Sequence, residues 1–204
     1  MREVLPGIHH WTAFHPGIGF DVSSYYVESA AAVLDPMLPA EGLDWFRGRS
    51  LERVILTCRH HYRHSDRFVS ELGATVHCNE AGLHEFEGGP RVEGFRPGDE
   101  LAQGVTAIEV NSISPDETAL YIDASGGVVA LADGLVNWSD GTGPPRLGFV
   151  PDDLMGDDAA AVKRGLRAAF ERLLERPFEH LFFAHGDPVT GEGRRALERF
   201  LQEG

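Results

Sequence analysis

The chain has 204 residues and carries 18 Lys and Arg against 32 Asp and Glu, a formal net charge of −14. Hydrophobic residues make up 42% and charged residues 25%, the balance of a folded domain and not of a disordered segment. The acidic excess argues against nucleic acid and anionic membrane surfaces as partners, and no apolar run approaches the roughly 18 residues needed to span a bilayer.

The length fits one domain over residues 1–204. The first residues, MREVLPGIHHW, lack an apolar stretch behind a basic start, so no secretory signal is expected. Cys58 and Cys78 are the two cysteines, too few for a disulfide framework, and the expected compartment is the cytoplasm.

Short strands are expected at residues 24–27 and 31–34, the second closed by Asp35-Pro36. Residues 41–47 suit a short helix with Leu43 and Phe46 on one side. The β-branched run 53–57 reads as a buried strand. Phe68, Val69 and Leu72 recur at helical spacing, predicting a helix over 65–72 with Gly73 at its C-terminal cap. Residues 74–77 form the next strand. Three strands follow at 105–110, 118–122 and 127–131, separated by turns rich in Pro, Gly, Ser and Asp. Residues 140–151 read as a long surface or lid loop. Val162, Leu166, Ala169, Phe170 and Leu173 make one apolar helical stripe, capped by Asp157-Asp158 and broken by Pro177. A buried strand at 181–184 and a helix at 193–201 close the chain.

Between the strand at 53–57 and the helix at 65–72 lies Cys58-Arg59-His60-His61-Tyr62-Arg63-His64-Ser65-Asp66-Arg67. It is a basic, imidazole-rich knot in an acidic chain. Two other apolar strands also end in polar side chains, at Asp133 and at His185. Strand ends hold side chains rigidly, and His and carboxylate from several of them are the usual supply of ligands for Zn, Fe or Mn.

In this order the segments resemble the metallo-β-lactamase superfamily over nearly the whole chain. There an apolar strand ending in Leu-Thr is followed by His-x-His-x-Asp-His. Here Leu56-Thr57-Cys58 is followed by Arg59-His60-His61-Tyr62-Arg63-His64. Matched without a gap, the first His falls on Arg59, the second on His61, the Asp on Arg63 and the last His on His64. A Pro-Gly-His-Thr-Pro-Gly turn matches residues 111–116 and puts Ile113 at its ligand position. The bridging Asp matches Asp133 and the terminal Gly-His-Gly matches Ala184-His185-Gly186. The resemblance implies an α+β fold of four layers, two mixed β-sheets packed together with helices on both outer faces. It leaves four of seven expected metal ligands: His61, His64, Asp133 and His185.

One metal position keeps only His61 and Asp133. The other keeps His64, Asp133 and His185, enough for one catalytic ion with water in the fourth place. Arg63 stands where a carboxylate ligand would be, and a guanidinium only donates. The expectation is a divergent protein of hydrolase lineage with at most one transition metal, Zn, Fe or Mn. Asp133 would be ligand and orienter, and Arg59 and Arg63 would hold a small anionic substrate or oxyanion. An ester, thioester, lactone or phosphoester is implied by the resemblance. The alternative is a metal-free binding or regulatory module for a small anionic ligand. An antibiotic-cleaving enzyme is disfavoured by the missing first metal position.

Ordinary roles stand beside these. His60 and Tyr62 alternate with the ligand positions and point to packing or solvent. His9, His10, His15, His77, His84 and His180 read as ordinary histidines. Cys58 reads as a small buried thiol, against a reactive one beside Arg59. Asp35 resembles the family's early strand-end Asp or is simply a turn residue. Substrate, metal identity and oligomeric state are open at this level.

Overall fold

The computed structural model describes residues 1–139 and 143–203. Strands β1 (Arg2–Leu5), β2 (Ile8–His15), β3 (Phe20–Val27), β4 (Ala32–Leu34), β5 (Arg53–Ile55), β6 (Thr75–Asn79) and β7 (Val92–Phe95) form a seven-stranded sheet in sequential order. The first four pair antiparallel and β4 to β7 run parallel. Strands β8 (Glu100–Ala102), β9 (Val105–Glu109), β10 (Thr118–Ile122) and β11 (Val128–Leu131) start a second sheet. After a small ribbon of β12 (Val136–Trp138) and β13 (Arg146–Gly148), strand β14 (His180–Phe183) completes that sheet parallel to β11. The helices are α1 (Ser65–Leu72), α2 (Ala159–Leu173) and α3 (Gly193–Gln202).

The layers follow from side-chain alternation. On β14, Phe182 points to the interior between the sheets while Leu181 and Phe183 point to the other face. The interior packs Tyr25, Val27, Leu34 and Ile55 against Leu120, Ile122, Ala130 and Phe182. The Tyr25 and Phe182 rings stack with centroids 4.5 Å apart. The α2 stripe of Leu166, Ala169, Phe170 and Leu173 covers the outer face of the second sheet. Phe68 of α1, with Phe46, covers Val54 and Val76 on the outer face of the first. The result is helix, sheet, sheet, helix, as the resemblance implied.

The helix signals held. Gly73 caps α1 with φ 74°, a left-handed conformation that costs glycine little. The Asp158 carboxylate accepts the Ala161 N–H at 2.8 Å at the start of α2. The expected helix at 41–47 is a single 3₁₀ turn, Leu43–Phe46. Strands β1, β2, β7 and β8 were not expected. They are half-exposed with weak alternation, so pairing with neighbours and not their own pattern defines them. The expected loop at 140–151 begins in residues outside those described. Its later part contains β13, paired to β12. Among the described residues no helix is long and apolar enough to cross a membrane.

Strand direction positions the site. β4 and β5 are parallel, so Asp35 and Thr57-Cys58 emerge at one edge. β11 and β14 are parallel, so Asp133 and His185 emerge together. β10 runs antiparallel to β11, which brings its first end, with Asp116 and Glu117, to that edge too. Backbone bonds Ser23 N–H to Ala184 O and Thr118 N–H to Thr57 O, both 2.9 Å, tie the two sheets there.

Candidate metal and substrate pocket

The knot is a single 3₁₀ turn, Arg59–Tyr62, with Cys58 as its N-terminal cap. Cys58 and His61 both turn toward Asp133, while Arg59 points elsewhere. Its backbone N–H donates to Asp116 Oδ2 at 2.6 Å and its guanidinium pairs with Asp116 Oδ1. Asp116 is fully buried. Arg59 lines the pocket, but its charge is already answered.

His61 is the centre of the floor. Its Nδ1 lies 3.0 Å from Asp35 Oδ2 and 3.1 Å from Thr57 Oγ1. Its Nε2 lies 3.1 Å from Asp133 Oδ1. Thr57 in turn donates to Asp35 from its N–H (2.8 Å) and its hydroxyl (2.6 Å). Burial alone would lower the His61 pKa, but the carboxylates of Asp133 and Asp35 hold it well above its usual value. Carboxylates thus flank both ring nitrogens. Burial likewise opposes ionisation of Asp133 and Asp35, and His61 nevertheless keeps both below the ordinary carboxylate range, well below for Asp133.

His185 converges on the same atom, with Nε2 3.0 Å from Asp133 Oδ1. Two imidazoles thus meet one carboxylate oxygen. Cys58 Sγ lies 3.9 Å from Asp133 Oδ2, and burial raises its pKa.

His64 does not join them. Its Nδ1 accepts the Leu38 N–H at 2.9 Å. A backbone N–H can only donate, so Nδ1 is the bare nitrogen and Nε2 carries the proton. In that state His64 has no lone pair for a metal. Arg63 turns its Nη1 to two backbone carbonyls, Ser23 O (2.9 Å) and Asp35 O (2.7 Å), and lines the pocket half-buried. Its backbone, at φ 46° and ψ −117°, is strained for a non-glycine residue. Both arginines line the pocket, each with one guanidinium nitrogen already committed to the protein. Ile113 packs against the core of the second sheet and supplies no donor.

Of the four expected ligands the fold therefore gathers His61, Asp133 and His185. Four further pocket residues lay outside the ligand set expected from the sequence. Asp35 and Cys58 flank His61. His15 lines the pocket with a buried Nδ1 that has no hydrogen-bond partner among the described residues. Glu117 accepts Ile113 N–H (3.0 Å) and Gly134 N–H (2.8 Å), which fixes the turn after Asp133. For Glu117 the visible signal was the carboxylate pair at 116–117, directly before an apolar strand. His60 sits exposed at the rim and Tyr62 packs on Phe86, in line with their alternation.

Burial pushes the Glu117 carboxyl up from 4.5 to about 7. The folded state then binds more protons than the unfolded one across that window. This contribution to stability is complete below pH 4.5 and is lost as pH rises to about 7. At ~1.4 kcal/mol per unit it amounts to about 3 kcal/mol. Urea unfolding at pH 5 and pH 8 should show the decline in the native chain and a shallower one in Glu117→Gln, which cannot titrate. Equal pH slopes in the two proteins would refute the assignment.

The cavity above the floor has a volume of about 640 Å³, the size of a small-molecule site. Its walls are apolar, with Ile18, Phe20, Val22, Trp138, Val150 and Leu154 around the polar floor. Phe20 and Leu154 are 62% and 61% exposed at the rim.

No family model and no curated protein matches this sequence. Solved structures do match in shape. A metallo-β-lactamase family protein from Thermus thermophilus superposes with a TM-score of 0.64 at 16% identity, covering 98% of this chain and 80% of its own. An archaeal metallo-β-lactamase superfamily protein from Sulfolobus tokodaii gives 0.65 at 15%, covering 97% and 85%. TTHA1623, solved in a di-iron-bound form, gives 0.63 at 22%, covering 88% and 94%. The chain has the metallo-β-lactamase fold.

Proposed function

We propose that this chain is a hydrolase-type protein of the metallo-β-lactamase fold. It works with at most one metal ion, on a small ester, thioester, lactone or phosphoester that has an apolar portion. The observation that carries this reading is the convergence of His61 Nε2 and His185 Nε2 on Asp133 Oδ1, at 3.1 and 3.0 Å, beneath an apolar-walled cavity. The donors fit one ion and not two: among the described residues His61 and Asp133 lie in a group whose ligand atoms are within 4.8 Å of one another, and His185 approaches it through Asp133. His64 has no free lone pair, Arg63 has replaced a carboxylate, and Ile113 offers nothing.

An ion held by His61, Asp133 and His185 would supply Lewis acidity and a bound water of lowered pKa. The chain supplies the rest. Asp35 and Thr57 fix the His61 ring through Nδ1, the outer support that orients an imidazole ligand. Glu117 fixes the turn carrying Asp133. Ile18, Phe20, Trp138 and Leu154 hold the apolar part of the substrate and exclude water beside the floor.

Metal analysis after loading with Zn, Fe or Mn should give close to one ion per chain, and Asp133→Ala should lose it. A stoichiometry near zero under every loading condition would sink the proposal. The second reading, a metal-free binding module, is favoured by one specific observation. His61 lies between the Asp35 and Asp133 carboxylates with Arg63 beside them, and a protonated His61 would balance that charge without any ion. Cleavage of chromogenic esters or phosphoesters separates the two, since that module would bind them without turnover.

A further inference from the structure

We infer that Cys58 is a ligand of the single ion, so that the site is a thiolate, imidazole and carboxylate centre suited to zinc. This rests on the one-ion reading and extends it with a donor that the histidine motif does not contain. Cys58 Sγ, a His61 ring nitrogen and an Asp133 carboxylate oxygen lie within 4.8 Å of one another, close enough for one cation to draw together. All three side chains sit on rigid strand ends or the turn that follows them.

The 3₁₀ turn explains why the sulfur is there. His61 N–H bonds Cys58 O at 3.1 Å, closing the turn, and Cys58 Sγ and His61 Nε2 both reach the Asp133 carboxylate. Residue 59 is rotated off that face and bound to Asp116. The turn therefore replaces the lost first histidine with the cysteine one residue earlier. His61 is oriented as a metal-binding histidine should be. Its Nδ1 donates to a carboxylate, Asp35, which leaves Nε2 aimed at Asp133 and the sulfur.

Among the described residues the Cys58 sulfur has no other strong hydrogen bond. The residue is 3% exposed, so its sulfur is poorly placed for exchange with a bulky thiol or disulfide. It is 3.9 Å from Asp133 Oδ2, a weak contact for a neutral thiol. On binding, the thiol gives its proton to solvent and the S–metal bond forms. A thiolate donor selects zinc over the harder manganese.

Cobalt(II) tests this, because thiolate ligation produces a sulfur-to-cobalt charge-transfer band in the near ultraviolet that nitrogen and oxygen ligands lack. The chain has two cysteines, so Cys78→Ser leaves Cys58 as the sole thiol. Cobalt-loaded Cys78→Ser should show the band at one ion per chain. Cys58→Ser should lose it and bind cobalt more weakly, by more than the roughly 10–100-fold that loss of an outer partner costs. His64→Ala should keep band and stoichiometry. One cobalt bound without the band in Cys78→Ser would overturn Cys58 as a ligand while leaving the one-ion reading standing. No cobalt bound in the native chain would overturn both.

Discussion

Gly186→Ala should destabilise the fold by about 3–5 kcal/mol and displace His185. Gly186 has φ +98°, a conformation L-residues rarely adopt. A methyl there would also lie 1.8 Å from Asn137 O, inside any tolerable contact. The obstacle is backbone, and it cannot turn aside. Asn137 N–H bonds His185 O at 3.1 Å, Asn137 Nδ2 bonds Asp187 O at 2.8 Å, and Ser23 Oγ bonds Gly186 O at 2.8 Å. These bonds hold residues 185–187 between β3 and β12, so relief of the clash must break some of them. Gly191→Ala is the comparison. It has φ +79° but no atom within 4 Å of the added methyl, so it should cost only about 1 kcal/mol of backbone strain. Denaturant midpoints measure both. Equal losses would mean that strain alone, and not the close approach to Asn137, requires glycine at 186.

The elements that sequence made visible were those with strong local periodicity. The α2 stripe, the α1 cap at Gly73 and the buried runs of β5, β11 and β14 were each legible because one helix face or one strand core is continuous. The site was legible where a polar residue directly follows such a run, as at Asp133 and His185. It was misread where backbone conformation decides. The spacing of His61 and His64 suggested two ligands. But the 3₁₀ turn ends at residue 62, and Arg63 reverses the backbone at φ 46° before His64 starts α1. That reversal carries His64 to Leu38 and turns the Arg63 guanidinium to backbone carbonyls at the pocket wall. Likewise, Arg59 was expected to face an anion. Only the sheet topology reveals that Asp116, 57 positions away, claims it. Long-range pairing of this kind leaves no trace in local sequence.

Arg63→Met should produce two effects of opposite sign: lower stability and higher affinity for a divalent cation. The stability loss should be about 3 kcal/mol or more. Methionine fills similar volume but leaves Ser23 O and Asp35 O without their donor, and removes a half-buried positive charge from a floor containing Asp35 and Asp133. Arg63→Lys should recover only part of this, since a shorter point charge cannot reproduce a guanidinium bond to both carbonyls. The loss should shrink in acid as the carboxylates protonate. The affinity gain has the same origin. Two unit charges 4 Å apart interact by about 4 kcal/mol at an effective dielectric of 20, less at greater separation, so a fixed cation in the pocket wall opposes any ion bound there. Zinc titration of the variant, run beside denaturant unfolding, measures both signs. If stability falls while zinc affinity is unchanged, Arg63 acts through its carbonyl bonds alone and its charge does not reach the site. If affinity rises, the arginine serves as a built-in counter-ion: it completes the fold without metal and sets how much metal the pocket accepts.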